Sequence, residues 1–202
     1  MSDLSASPIL LAPSLGEYFR NPVRDALAGR EVDASPAAEG YLVHLLSDFA
    51  KPVEAESPQA QAPATFRLHD ALTATGSERF ARLQRLGDSV LYELGFFGQR
   101  LQETDHHYLV HVGASAYQHA ASMVAAGTPH DGLDLFRELS TRFSRFVDVL
   151  VWVSDWLLAQ SARGERGLVV LFERWLRTRS TVLRDELAQR GLTGLDRLSV
   201  PH

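Results

Sequence analysis

The chain has 202 residues, of which 45% are hydrophobic and 22% are charged, and its formal net charge at pH 7 is −5. This composition is typical of a folded globular protein, and the acidic balance argues against nonspecific nucleic-acid binding. The absence of cysteine excludes disulfides, cysteine nucleophiles and thiolate metal sites. No apolar run approaches the roughly 18 residues that cross a bilayer, and the first residues lack the basic start of a secretory signal. We expect a cytoplasmic protein without a membrane span.

The chain is predicted to contain one helical domain with short extensions. Residues 1–13 contain two prolines among small residues and predict a loose N-terminal arm. Residues 51–64, with the sequence KPVEAESPQAQAPA, lack apolar periodicity and predict a long surface loop. The helical domain then covers 14–191, and a loose tail follows at 192–202. The segment before the loop is too small to fold alone, so the loop is not a domain boundary.

Capping and breaking residues mark the helix ends in the first half of the chain. Ser35 followed by Pro36 predicts a helix start, and Pro52 lies just beyond the end of its apolar pattern. Gly95 and Gly98 lie close together and predict a corner. Asp105 is then expected to cap a helix that runs to about residue 126. The packing face of that helix contains small residues, so we expect a close helix neighbour.

The most hydrophobic part of the chain predicts one long central helix over about 133–158. Apolar residues there recur at alternating spacings of three and four, which places them on one helix face. They are Phe136, Leu139, Phe143, Phe146, Leu150, Val153 and Leu157. Two shorter helices follow, and no alternating strand pattern occurs. The predicted fold is therefore all-α, a single-domain bundle of about seven helices around this long helix.

Four segments resemble a bacterial family of all-helical proteins with no assigned function. They are SPAAEGYLVHLLSDF (35–49), LGDSVLYELGFFGQRL (86–101), YLVHVGASAY (108–117) and FRELSTRFSRFVDVLVWVSD (136–155). The resemblance covers roughly residues 35–190. Its motifs are packing patterns, so it implies a helical fold and no active-site residues.

Histidines and carboxylates form one candidate metal site. His107 and His111 are spaced i and i+4 on one helix face, and Glu103 joins them if the helix begins before Asp105. Asp148 and Asp155 lie on the polar stripe of the long helix. Together these side chains suit zinc, iron or manganese. The alternative is structural, with the histidines exposed and the aspartates hydrogen-bonded to Arg or Tyr.

Two further groups of residues indicate binding to other macromolecules. Val149, Trp152 and Trp156 form an apolar stripe suited to a homodimer or a protein partner, unless the chain's own helices bury it. Arg166, Arg174 and Arg177 lie near or on the penultimate helix and can hold phosphates or an acidic partner, unless they form an ordinary solvated face.

Three common enzyme signatures are absent from the sequence. Neither a GxGxxG nor a GxxxxGK[ST] loop occurs, and Ser115 lacks the GxSxG spacing. The leading hypothesis is a non-enzymatic interaction or scaffold protein that self-associates or binds a protein partner, with no cofactor. A metal-binding oxidoreductase or sensor, carrying a transition metal, is the alternative, and an Arg-mediated adaptor for an acidic partner is a third.

Overall fold

In a computed structural model of the chain, residues 14–51, 62–125, 131–192 and 194 are described, and they form nine α-helices without a strand. The all-α class is confirmed, with nine helices in these ranges where about seven were expected. The arm at 1–13, most of the loop at 51–64 and most of the tail at 192–202 lie outside the described residues. The bounds are α1 Leu15–Gly29, α2 Pro36–Phe49, α3 Ala64–Thr73, α4 Gly76–Phe97, α5 Glu103–Ala125, α6 Asp131–Thr141, α7 Phe143–Ser161, α8 Gly164–Thr178 and α9 Thr181–Gln189.

Capping explains several of the helix ends. At α1, Ser14 Oγ accepts the Glu17 N–H while the Glu17 carboxylate accepts the Ser14 N–H, a reciprocal capping box. Ser35 caps α2 in the expected place, with Pro36 at the first helical position. The predicted Asp105 cap is wrong, because α5 already begins at Glu103. Both acids lie in its first turn, where the helix dipole favours negative charge.

The predicted long helix over 133–158 is two helices, α6 and α7, which meet at Arg142. Neither glycine nor proline causes this break. The Thr141 hydroxyl donates to the carbonyls of Arg137 (2.9 Å) and Glu138 (3.3 Å), a contact that bends helices. The break allows α6 to pack mainly on α5, while α7 packs on α4 and α1. Tertiary packing therefore overrides an apolar period that continues through the break.

Glycines allow the close approach of the central helices. A Cβ at Gly95 of α4 would lie 2.4 Å from Cβ of Leu150 in α7, and a Cβ at Gly113 of α5 would lie 2.2 Å from the Phe143 ring. A corner was expected at Gly95 and Gly98, but Gly95 does not interrupt α4. The helix continues to Phe97, and the corner is a 3₁₀ turn at Gly98–Arg100. The expected close neighbour of the α5 face is therefore confirmed at Gly113.

The buried apolar residues form two clusters. The larger is contributed by α1 to α7 and includes Leu42, Leu91, Tyr117, Phe146 and Leu150. The smaller joins the end of α7 to α8 and α9, and consists of Ala159, Ala162, Leu171, Trp175, Leu183 and Leu187. The two C-terminal helices thus pack on the bundle as a hairpin with its own small core. No helix within the described ranges is long and apolar enough to cross a membrane.

The contact between α4 and α7 predicts a contrast between two glycine substitutions. Gly95→Ala should lower the free energy of unfolding by about 1–3 kcal/mol, because Leu150 Cβ is fixed to its backbone and cannot rotate away. Gly40→Ala in α2, where a Cβ meets nothing within 4 Å, should raise it by about 0.5–1 kcal/mol through helix propensity. Urea unfolding of both variants measures the difference, and equal effects would contradict this packing.

Candidate functional site

The five predicted metal ligands lie in three separate places. Because α5 begins at Glu103, this residue does share an exposed helix face with His107 and His111. Asp148 is exposed on α7, whereas Asp155 is completely buried. Within the described residues, no three His, Asp or Glu side chains come together in a group that could hold a metal ion. The expected convergence of α5 histidines with α7 carboxylates is therefore not formed there.

Asp155 instead forms a buried ion pair with Arg174 of α8. Arg174 Nε donates to Asp155 Oδ1 at 2.9 Å, and Nη2 lies 2.9 Å from the same oxygen. Arg174 is 7% exposed and Asp155 is 0% exposed. A buried charge must be paired to be tolerated, so each residue compensates the other. The sequence-based alternative of an Asp hydrogen-bonded to Arg is confirmed for Asp155.

The three predicted phosphate-binding arginines do not form one surface. Arg166 and Arg177 are exposed on α8, but Arg174 points inward to Asp155. Its charge is neutralised by the aspartate, so Arg174 does not add to an exposed basic patch. Of the three, only Arg166 and Arg177 remain as candidates for an exposed basic surface.

The predicted apolar stripe on α7 is largely covered by α1. Val149 is completely buried, and Trp152 and Trp156 are half-buried. The Tyr18 ring lies 5.8 Å from the Trp156 ring, and Gly29 faces the Trp152 indole. Self-association or partner binding through these residues stays a prediction. Because Trp152 and Trp156 are half-buried, only part of each indole is accessible to another protein.

An open groove lies beside this covered stripe, between α1, α4, α7 and α8. Its volume is about 500 Å³, and its lining combines aromatic, aliphatic and a few polar side chains. Tyr18 and Phe97 are 42% and 46% exposed on its walls. Large aromatic side chains with this exposure are candidates for contact with another molecule. The lining residues are Tyr18, Phe96, Phe97, Ser154, Leu157, Leu158, Gln160, Ser161 and Arg174.

The aromatic surface extends from this groove along α4. Phe49 stacks on Tyr92 with ring centroids 4.2 Å apart, and Tyr92 stacks on Phe96 at 4.4 Å. Phe97 meets Tyr92 edge-on at 6.2 Å. Such contacts each contribute about 0.5–1.5 kcal/mol beyond apolar burial. The groove wall is thereby held in place by rings that are themselves packed.

A second open cavity of about 540 Å³ lies between the start of α2 and α6. Its lining includes acids such as Asp33 and Asp134 together with Arg137 and Arg142. Glu138, which also lines it, accepts the Ser35 backbone N–H at 3.0 Å. The cavity therefore has mixed charge, and one of its carboxylates already caps a helix. We regard it as part of the α2–α6 packing.

Sequence reasoning also missed a polar network inside the bundle. The hydroxyls of Tyr41 (α2) and Tyr117 (α5) both donate to Asp88 Oδ1 of α4, at 2.5 and 2.7 Å, and Gln84 Nε2 donates to the Tyr41 oxygen at 3.1 Å. Nothing local in the sequence indicates this network, because its members are distributed over three helices. An aspartate on the inward face of α4 was the available signal. The network ties α2, α4 and α5 together across the core.

Burial controls the protonation of this network. Desolvation raises the pKa of Asp88, and the hydrogen bonds from Tyr41 and Tyr117 oppose this in part. From α2, His44 also lowers the pKa of Asp88, whereas Asp48 raises it. Desolvation, followed by the charge of Asp88, raises the pKa values of Tyr41 and Tyr117 far above the ordinary range. Both phenols therefore act as hydrogen-bond donors at physiological pH.

The C-terminal hairpin is attached to α7 by a second arginine. Arg190 Nη1 and Nη2 donate to the carbonyls of Ala162 (3.0 Å) and Ala159 (2.9 Å) at the end of α7. Its Nε also donates to Glu186 at 2.7 Å. The final carbonyls of a helix lack intrahelical partners, and a cation there also complements the helix dipole. Arg174 and Arg190 thus join the hairpin to the bundle at two points.

The buried ion pair predicts a strong asymmetry between two arginine substitutions. Arg174→Met should lower the free energy of unfolding by about 3–5 kcal/mol, because it leaves Asp155 buried and unpaired. The double change Asp155→Leu with Arg174→Met should cost far less. Arg177→Met is the matched exposed control and should stay within about 0.5 kcal/mol of the parent. Thermal and urea unfolding would contradict the pair if Arg174→Met were as mild as Arg177→Met.

Asp88 predicts a defined pH dependence of stability. Because its folded-state pKa is raised, its favourable contribution is complete at pH values below the ordinary carboxyl range and is lost as the pH rises through the folded-state pKa. Relative to Asp88→Asn, which keeps an acceptor oxygen, the parent should therefore lose stability as pH rises. The comparison with Asp48→Asn should give the opposite result: relative to this variant, the parent should gain stability as pH rises. The reason is that the pKa of exposed Asp48 is lowered, mainly by a hydrogen bond from Lys51. A flat parent-minus-Asp88→Asn difference from acid to neutral pH would contradict this.

No protein-family model, curated protein sequence or solved structure matches the chain. The resemblance to a bacterial helical family therefore stays a prediction, and the candidate site depends on the geometry of the chain itself.

Proposed function

We propose that this protein is a non-enzymatic interaction protein that binds an apolar segment of a partner protein in the groove between α1, α4, α7 and α8. The observation that carries the proposal is the exposure of two aromatic side chains, Tyr18 and Phe97, in the lining of one largely apolar groove. Interfaces concentrate their binding energy in aromatic anchors that fill such clefts. The sequence-based hypothesis of an interaction protein is kept, and its contact surface is moved from the Trp152 stripe to the groove.

The groove is open and is lined by residues of four helices. Its walls come from four helices, so a bound segment would touch α1, the end of α4, α7 and Arg174 of α8 together. Leu157 and Leu158 add apolar side chains to the lining, and Gln160 and Ser161 add polar groups. Apolar clefts with a few polar groups are the usual form of binding sites.

A photo-crosslinking comparison tests this proposal. A benzophenone side chain placed at position 97 should crosslink to a partner in cell extract, and mass spectrometry then identifies the crosslinked peptide. The matched control is a benzophenone at position 66, because Phe66 is 64% exposed on α3, outside the groove. The purified partner should then bind the parent and the Phe66→Ser variant equally, and should bind Phe97→Ser at least about tenfold more weakly, as expected for a lost aromatic anchor.

The control for folding is the unfolding midpoint of each variant, which must lie well above the temperature of the binding assay. The midpoint of Phe97→Ser should fall modestly, because the Phe97 ring contacts Tyr92. If the crosslinked peptide belongs to this same protein, self-association through the groove is the form that the interaction takes. Equal loss of binding in Phe97→Ser and Phe66→Ser, or crosslinks at position 66 only, would contradict the groove as the contact surface.

A further inference from the structure

Arg174 leaves one nitrogen of its guanidinium unused. Nε and Nη2 face Asp155 Oδ1, and Nη2 also donates to Ser154 Oγ at 3.4 Å. Nη1 makes no hydrogen bond to any of the described residues, and it is not among the side-chain nitrogens that are sealed from solvent without a partner. Arg174 is 7% exposed and lines the groove, so Nη1 is the guanidinium nitrogen that remains for a hydrogen bond to a molecule there.

From this donor we infer that the groove binds the carboxyl terminus of a partner protein, with apolar final side chains between Tyr18, Phe97 and Leu157 and the terminal carboxylate on Arg174 Nη1. The inference rests on the proposed function and specifies its partner. Charge-assisted hydrogen bonds from arginine to carboxylate are short and strong. A chain terminus places a carboxylate directly beside an apolar side chain, as the lining requires.

The surroundings of Arg174 are compatible with an incoming carboxylate. Among the described residues that line the groove there is no Asp or Glu, so the nearby carboxylate is that of Asp155, which is already paired with Arg174. Asp155 Oδ1 accepts from Nε and Nη2, and Asp155 Oδ2 is buried without a hydrogen-bond partner among the described residues. An arginine that is oriented by one carboxylate and offers its remaining edge to a second is pre-organised for recognition.

Asp155 also limits how the carboxylate is attracted. It neutralises the net charge of Arg174, so long-range steering by that residue is small and the contact depends on a directional hydrogen bond. We therefore expect binding to respond strongly to the loss of the peptide carboxylate and only weakly to ionic strength.

The test uses two libraries of short peptides randomised at their final residues, identical except that one ends in a free carboxylate and the other in a carboxamide. Fluorescence anisotropy with the full-length protein should find binders with apolar ends in the free-acid library. Their amides should bind about tenfold or more weakly, the expected loss when a charge-assisted hydrogen bond is removed. Phe97→Ser should weaken both forms, and Phe66→Ser should weaken neither.

Two variants separate the role of Arg174 from an effect on folding. Arg174→Lys keeps a cation opposite Asp155 but loses the planar guanidinium, and Asp155→Leu with Arg174→Met removes both charges together. Each should bind apolar peptides with a much smaller preference for acid over amide than the parent, while circular dichroism confirms that the helices remain. Retention of the full preference in both variants would overturn the inference.

The remaining outcomes distinguish the two proposals. Peptides that bind in a Phe97-dependent way with equal affinity as acid and amide would overturn the carboxyl-terminus inference and leave the interaction groove supported. If no peptide of either library binds, or if binding is insensitive to Phe97→Ser, both the groove and the inference built on it are overturned.

Discussion

The buried ion pair between Asp155 and Arg174 is the contact on which the candidate site depends. It joins α8 to α7 next to the small C-terminal core, and it fixes the one guanidinium that lines the groove. Few residues of α7 and α8 touch directly, since α8 reaches α7 mainly through α9 and through this pair. Its loss would therefore affect the position of the hairpin and the chemistry of the groove together.

The Asp88 network and the Asp155–Arg174 pair differ in whether they leave a hydrogen-bond donor without a partner. In the Asp88 network, one carboxylate oxygen accepts both tyrosine hydroxyls, and Tyr117 is completely buried, so the network is enclosed by α2, α4 and α5. The Arg174 pair is also buried, but Arg174 lines the groove and its Nη1 has no partner among the described residues. Satisfied buried networks specify one packing arrangement, whereas a donor that is held in place and still accessible is available for recognition. This difference is why the account assigns binding to Arg174 and structure to Asp88.

The sequence predicts the helical class and most helix positions because apolar periodicity and caps are local signals. Ser35 and Pro36 mark α2 correctly, and the small residues of α5 mark a face of close packing, whereas the corner predicted at Gly95 of α4 is not formed there. The break at Arg142 is not predictable in this way, because the apolar period runs through it and the hydroxyl of Thr141 competes for backbone carbonyls only in the folded chain. The prediction of a cap at Asp105 also fails, because α5 begins two residues earlier, at Glu103.

The candidate site was only half visible in the sequence. Asp155 and Arg174 were both singled out, one as a metal ligand and the other as a phosphate contact, but they lie 19 residues apart on different helices. Periodicity alone placed Asp155 on a polar stripe, and its burial against Arg174 of α8 could not be read from α7. Phe97 and Tyr18 look like ordinary apolar residues, and only the arrangement of four helices leaves them on the walls of a groove.

The most direct test of the central claim is an NMR titration that observes the guanidinium nitrogens of Arg174 and the rings of Tyr18 and Phe97. The account predicts that an apolar peptide with a free carboxyl terminus shifts all three signals together, whereas its amide shifts the two rings and leaves the Arg174 nitrogens unchanged. Shifts at Arg174 that are the same with acid and amide, or ring shifts confined to Phe66 of α3, would contradict it.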